Sequence, residues 1–188
     1  MVLGVDAGLS FFQNVDFNAF YARTKTPGLS GEETSYRTQF EYGGDRYGLQ
    51  AEHLLVGDHF NPEIGFLRRD NFRRSFVQAR FSPRSKRIRA VRKFSWETSF
   101  DYTTDPGNEV LQTKEAQATF RTEFQTSDVL ALEYSRNYEF IDQVFSIAPN
   151  VQLPVAGYDF QSVTGSYQLG QQHPVDEPVV HAEQPVPE

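Results

Sequence analysis

Apolar and polar residues alternate with a period of two along most of this chain. In "VDFNAFYAR", Val15, Phe17, Ala19 and Tyr21 share one parity and Asp16 and Asn18 the other. "KFSWETSFDY" sets Phe94, Trp96, Thr98, Phe100 and Tyr102 against Ser95, Glu97, Ser99 and Asp101. "EAQATFRTEF" sets Ala116, Ala118, Phe120, Thr122 and Phe124 against Gln117, Thr119, Arg121 and Glu123. "VLALEYSRNYEF" sets Leu130, Leu132, Tyr134 and Tyr138 against Ala131, Glu133, Ser135, Asn137 and Glu139. Successive side chains of a strand point to opposite sides of its sheet, so this period predicts strands with one apolar and one polar face. About nine are predicted, over 3–11, 14–24, 34–43, 46–56, 71–82, 90–103, 110–126, 129–140 and 157–169. Several run ten residues or more, where globular strands average about 5–6 and outer-membrane strands need about 9–11. Helical spacing at i, i+3, i+4 and i+7 is not sustained.

Turn signals separate these runs. Gly43, Gly44 and Asp45 interrupt "EYGGDRYGLQ", where glycine is expected to supply the positive φ of a tight hairpin turn. "TTDPGNE" and "QTSDV" mark two more turns. Three longer connections interrupt the meander: "TKTPGLSGEE", a stretch around "FNPEIGFLRRDNFRRSF", and "IDQVFSIAPNVQLPVA". Long connections are expected to gather on one side of a barrel and short turns on the other. The tail, 171–188, is rich in proline and acid and nearly free of aromatics, so it is expected to be disordered, leaving 1–170 as the folded unit.

Composition narrows the classes. The chain has 188 residues, 17 Phe, 9 Tyr and 1 Trp, yet a mean hydropathy of −0.55, which suits strands greasy on one face and wet on the other. A net charge of −7 argues against a nucleic-acid partner. Without cysteine there is neither a disulfide nor a thiolate metal site. No apolar run approaches the roughly 20 residues of a spanning helix, and Met1–Phe17 lacks the basic start and apolar core of a signal peptide. The alternation fits a soluble two-layer sandwich and a lipid-facing barrel equally well.

Motifs break that tie. "FYARTKTPGLSGEETSY", "DRYGLQAEHLLVGDHFNPEIGFLRRDNFRRSFVQARFSPR", "RNYEFIDQVFSIAPNVQLPVAGYDF" and "YQLGQQ" resemble, in order over about 10–172, the C-terminal region of the bacterial envelope family known as domain of unknown function 5916. Members of that family place a family-9-like carbohydrate-binding module ahead of a large outer-membrane β-barrel of unproven function. The resemblance implies an all-β fold: an antiparallel up-and-down meander of long strands forming part of an outer-membrane-type barrel, partial or open as an isolated chain. It implies outer-membrane lipid as the partner, carbohydrate through a front half absent here, and a bacterial outer-membrane location for the intact family member. Set against that family, the front half and the later strands are missing and the segment after Gln172 is atypical, so the resemblance leads to the expectation of a fragment or a frameshifted product.

Two stretches carry candidate chemistry. Asp58, Asn61, Glu63, Arg68, Arg69, Asp70, Arg73 and Arg74 form one candidate ligand-binding or lumen-gating cluster, since arginine forks hold carboxylates, phosphates and sugar hydroxyls. The balanced charges favour a plainer reading, in which these groups pair with one another and pin a loop into the barrel mouth. Arg84, Lys86, Arg87, Arg89, Arg92 and Lys93 form a basic run, either facing lipid headgroups or lipopolysaccharide phosphates or decorating a solvated hairpin. Arg136 breaks the apolar parity between Tyr134 and Tyr138, tolerable near a membrane interface but not at mid-bilayer.

Catalysis is not expected. Glycoside hydrolysis needs two carboxyls about 5–9.5 Å apart in a cleft. Glu97 with Asp101, or Glu133 with Glu139, are too commonplace among so many alternating acids to indicate it. His53, His59, His173 and His181 lack ligand spacing, and no phosphate loop or nucleophile elbow occurs. No cofactor is expected. The expected function is therefore that of a non-enzymatic barrel segment in envelope transport or anchoring of a carbohydrate-binding front half. The alternatives are a soluble glycan-binding sheet using Tyr36, Tyr42 and Tyr47, and a domain associated with a carbohydrate-active hydrolase.

Overall fold

A computed structural model describes residues 1–28, 31–62, 69–107, 110–148, 151–170 and 180–186. The described residues contain no helix. The strands are β1 (Val2–Phe11), β2 (Val15–Thr24), β3 (Thr34–Gly43), β4 (Tyr47–Val56), β5 (Phe72–Phe81), β6 (Val91–Thr104), β7 (Leu111–Phe124), β8 (Val129–Ile141), β9 (Phe145–Ala148), β10 (Val151–Leu153), β11 (Ala156–Gln168) and β12 (Val180–Val186). Ten form one antiparallel sheet in the order β1-β2-β3-β4-β5-β6-β7-β8-β11-β12, and β9 and β10 form a small hairpin between β8 and β11. The nine predicted strands correspond to β1–β8 and β11, so the up-and-down meander is as the alternation predicts.

Register carries the parity of each strand into its neighbour, because paired residues share a face. Phe81 pairs Trp96, Trp96 pairs Phe120, Phe120 pairs Leu132 and Leu132 pairs Gly165. Ala79, Thr98, Ala118, Tyr134 and Val163 form the next row on the same face. The opposite face holds Gln50, Gln78, Ser99, Gln117, Ser135 and Ser162 in one row. The sheet is a single layer. Among the described residues only Leu55, Val56 and Val91 are buried hydrophobics. Leu49, Val77, Trp96 (44% exposed), Phe100, Leu132 and Val163, all on the apolar face, stay exposed. The second layer that a sandwich would press onto this face is absent from the described residues.

Connections alternate in length with the ends of the sheet. β1–β2, β3–β4 and β7–β8 are joined by three or four residues at one end. The long connections β2–β3, β4–β5 and β8–β11 all lie at the other, as expected. Two connections at the short-turn end depart from this: the nine-residue β5–β6 connection, Ser82 to Ala90, and the eleven residues 169–179 between β11 and β12. Turn chemistry differs from the sequence reading. Neither Gly43 nor Gly44 has positive φ; Gly44 is required because a Cβ there would lie 2.7 Å from the Tyr42 hydroxyl and 3.0 Å from the Tyr47 carbonyl. Left-handed residues occur instead at Phe12, Gln13, Asn71, Ser127 and Gly28.

Two further corrections concern short strands. β9 and β10 form inside a stretch expected to be a connection. Val180–Val186 pairs with β11 although 171–188 was expected to lack structure; the rest of that tail lies outside the described residues. Pro185 is tolerable because β12 is the edge strand among the described residues.

The β7–β8 turn is clamped by one carboxylate. Asp128, 6% exposed, accepts hydrogen bonds from Thr126 Oγ1 (2.8 Å), the Tyr167 hydroxyl (3.0 Å) and the Gly170 N–H (2.8 Å), tying the turn to the end of β11. Asp128→Ala removes the acceptor of all three donors, of which the Gly170 N–H is buried, and is expected to lower the unfolding free energy by about 2 kcal/mol. Urea unfolding checks this as a lower midpoint with an unchanged slope.

Candidate functional site

The polar face carries a chain of charges that crosses four strands. Arg37 on β3 and Glu52 on β4 form an ion pair, and Arg74 on β5 donates from Nη1 to Glu52 Oε1 at 2.9 Å. The same guanidinium donates from Nε to Asp101 Oδ2 on β6 at 2.8 Å. These residues sit on diagonally adjacent rows, Arg37–Leu54–Arg74 and Glu52–Phe76–Asp101, within reach of long side chains. The Glu52 side chain is only 7% exposed, so the two arginines neutralise a carboxylate that would otherwise be costly to bury. The Arg74 guanidinium also lies 5.3 Å from the Phe76 ring centroid. Beside it a polar hollow of about 330 Å³ is bordered by Asp101, Thr113, Glu115, Asn137 and Glu139. Acid outnumbers base on this face: Asp6, Asp16, Glu41, Glu97, Glu115, Glu133 and Glu139 join it, against Arg80, Lys93 and Arg121.

The predicted arginine cluster is divided by strand geometry. Arg73 and Arg74 are consecutive on β5 and therefore face opposite sides; Arg73 sits on the apolar face in register with Leu55 and Thr104. Arg69 bonds Gln112 and lies 6.0 Å from the Phe72 ring centroid. Asp70 is exposed, and Glu63 and Arg68 lie outside the described residues. Asp58 and Asn61 lie in the β4–β5 connection at the long-loop end. The Glu32 N–H donates to Asp58 Oδ1 (3.0 Å), and the Asn61 N–H donates to Thr24 Oγ1 (3.1 Å). The two loops touch so closely that a Cβ on Gly57 would fall 2.0 Å from the Glu32 carbonyl. The stretch from Asp58 to Asn61 is thus fastened to the ends of β2 and β3. Of the three described arginines, Arg74 alone joins the charge chain; of its other members, Arg37, Glu52 and Asp101, the sequence reading missed Arg37 and Glu52. Both lie on the polar parity of their strands, but only the register shows that they meet.

The apolar face is banded. At the short-turn end an aromatic row runs Tyr47–Phe81–Trp96–Phe120, with ring centroids 5.3, 5.8 and 5.2 Å apart in succession. Phe94 adds to it at 6.0 Å from Phe120. Charges on this face gather toward the other end: Arg23, Arg73, Lys114 and Asp159. Arg136 does fall on the apolar face, one row nearer the middle, and its Nη2 lies 3.8 Å from Asp159 Oδ1 across β11. His53 shares a row with Ser75, with Nδ1 and Oγ 2.9 Å apart.

The basic run sits at the short-turn end. Arg84 Nη2 meets Asp45 Oδ1 at 2.9 Å, and Arg92 Nη2 meets Glu123 Oε2 at 2.7 Å. Lys86, Arg87 and Arg89 are exposed, and Lys93 is half-buried on the polar face beside Glu123. Among the described residues no group of three or more His, Asp or Glu is placed to hold a metal ion.

Two outcomes follow. Arg74→Leu leaves Asp101 without this partner and half-neutralises Glu52, and is expected to lower stability by about 1–3 kcal/mol, given the pair's partial exposure. A double-mutant cycle with Asp101→Asn checks the coupling, expected at about 1 kcal/mol. In the β4–β5 connection, the hydrogen bond from His59 holds the Asp58 carboxyl below its ordinary 3.8. Its contribution to folding is in place above that ordinary value and is lost as the pH falls through the depressed one. Asp58→Asn therefore flattens the acid limb of a stability–pH curve, measured from urea midpoints below about pH 4.

Comparison with known protein families, with curated proteins and with solved structures finds no match to this chain.

Proposed function

We propose that this chain is a segment of a membrane β-barrel of the bacterial outer membrane, with its apolar face toward lipid and its polar face toward a watery lumen. The observation that carries the proposal is the exposed apolar face itself. A row of stacked aromatics and a band of Leu, Val and Phe are left uncovered on one side of a single-layer sheet, while the other side pairs its charges across strands. Water would not tolerate so large an uncovered patch on a soluble monomer. Lipid satisfies it.

Dimensions support the same reading. A ten-residue strand is about 34 Å long, and tilted by about 40° it spans roughly 26 Å, near the height of an outer-membrane apolar band. The aromatic row and the cluster of charged residues then bracket that band from either side. In such barrels short turns face the periplasm and long loops the exterior. The mouth built by Glu32, Asp58 and Asn61 is accordingly external, and the basic run is periplasmic. The segment is non-enzymatic and serves envelope transport or the anchoring of a carbohydrate-binding front half, the role that the resemblance to domain of unknown function 5916 implies.

Trp96 is the single tryptophan and belongs to the lipid-side row, so it reports directly on this proposal. With the chain refolded into phosphatidylcholine vesicles, brominated acyl chains are expected to quench Trp96 emission, and unheated protein is expected to migrate faster in detergent gels than boiled protein. Emission unaffected by brominated lipid would sink the proposal.

A further inference from the structure

We infer that the short-turn end of the apolar face is a seat for one anionic phospholipid, an inference that rests on the membrane reading above. The aromatic row is not followed by another row of tall side chains. Next to it lie Ala79, Thr98 and Ala118, three small residues side by side on β5, β6 and β7. Their shortness opens a groove of about 620 Å³, within the range of small-ligand sites. Phe81, Trp96 and Phe120 wall it on one side, and Leu132, Tyr134 and Val163 close its far end. A groove whose surface is almost wholly apolar, chiefly methyls and ring faces, suits an acyl chain.

Its mouth, by contrast, is cationic. Tyr47 lines the groove, and the Arg46 guanidinium lies over the Tyr47 and Phe81 rings, 5.8 and 5.3 Å from their centroids. Arg46 is exposed, in the β3–β4 turn. Arg84 is held at the same turn through Asp45, and Lys86, Arg87 and Arg89 follow it, exposed. An apolar trough ending under a fixed guanidinium with more cations behind it complements a lipid that carries a phosphate and a net negative headgroup. The β5–β6 connection, long where its neighbours are short, thereby acquires a use: it brings cations to the headgroup level.

The test uses the chain refolded into phosphatidylcholine vesicles holding a minority of phosphatidylglycerol, with bromine on the acyl chains of one lipid or the other. At equal mole fraction, brominated phosphatidylglycerol is expected to quench Trp96 about fivefold more effectively, the equivalent of one basic residue's attraction for an anionic headgroup. Arg46→Gln is expected to bring that ratio close to one while quenching by brominated phosphatidylcholine is unchanged. Ala118→Leu, which fills the trough from within, is expected to lower the ratio with Arg46 intact. Equal quenching of the unaltered chain by both lipids overturns the seat and leaves the membrane reading standing. Quenching by neither overturns the membrane reading itself. A ratio that survives Arg46→Gln overturns the headgroup assignment. Relief of quenching by lipopolysaccharide at lower concentration than by unlabelled phosphatidylglycerol overturns the choice of phospholipid.

Discussion

Ten strands share one continuous hydrogen-bonded ladder, and that ladder decides which medium each side chain meets. An antiparallel pair fixes parity: once Phe81 lies opposite Trp96, every second residue of both strands is committed to the same side. The commitment then passes from strand to strand as far as β11, with register shifts in the β6–β7 ladder only at its ends, at Val91–Lys93 and Thr103–Thr104. The banding of the apolar face and the charge chain of the polar face are both consequences. Neither exists in any single strand. Arg37, Glu52, Arg74 and Asp101 are on four strands, and only the register places their ends within hydrogen-bonding distance.

This explains what could be seen in the sequence and what could not. Period-two alternation is a property of one strand at a time, so the nine long strands and the division into faces were legible residue by residue. Even Arg136, the one break in its strand's parity, lies on the apolar face where its spacing put it. Properties of pairs were not legible. The arginine cluster looked like a unit because Arg73 and Arg74 are neighbours in the chain, yet adjacent strand residues are the pair least able to act together. β9 and β10 escaped because four and three residues are too few to show a period. The Gly44 turn was assigned to the right place for the wrong reason. Its glycine gives room to Tyr42 and Tyr47 rather than a left-handed backbone, while Phe12 and Gln13 adopt that backbone with no sequence signal.

The two ends of the sheet have different structural characters. At the long-loop end, backbone bonds and close Gly57–Glu32 contact lock one connection onto another. At the short-turn end, side chains dominate: the aromatic row, Arg80 donating to the Gly44 carbonyl at 2.7 Å, and the Asp128 clamp. The polar face between them is acid-rich, so its surplus carboxylates favour cations over anions in any water they line.

The unequal connections also bear on how this architecture tolerates change. A turn of three or four residues has no slack, so inserting or deleting one residue beside Phe12–Asn14 or Gln125–Asp128 forces a slip of the adjoining ladder, moving phenylalanines to the polar face and glutamates to the apolar one. The opposite connections have length to spare and can gain or lose residues while the pairing on either side stays put. Sequence drift in relatives of this chain is therefore expected to be uneven, with lengths frozen at the three short turns and free to diversify in the longer connections.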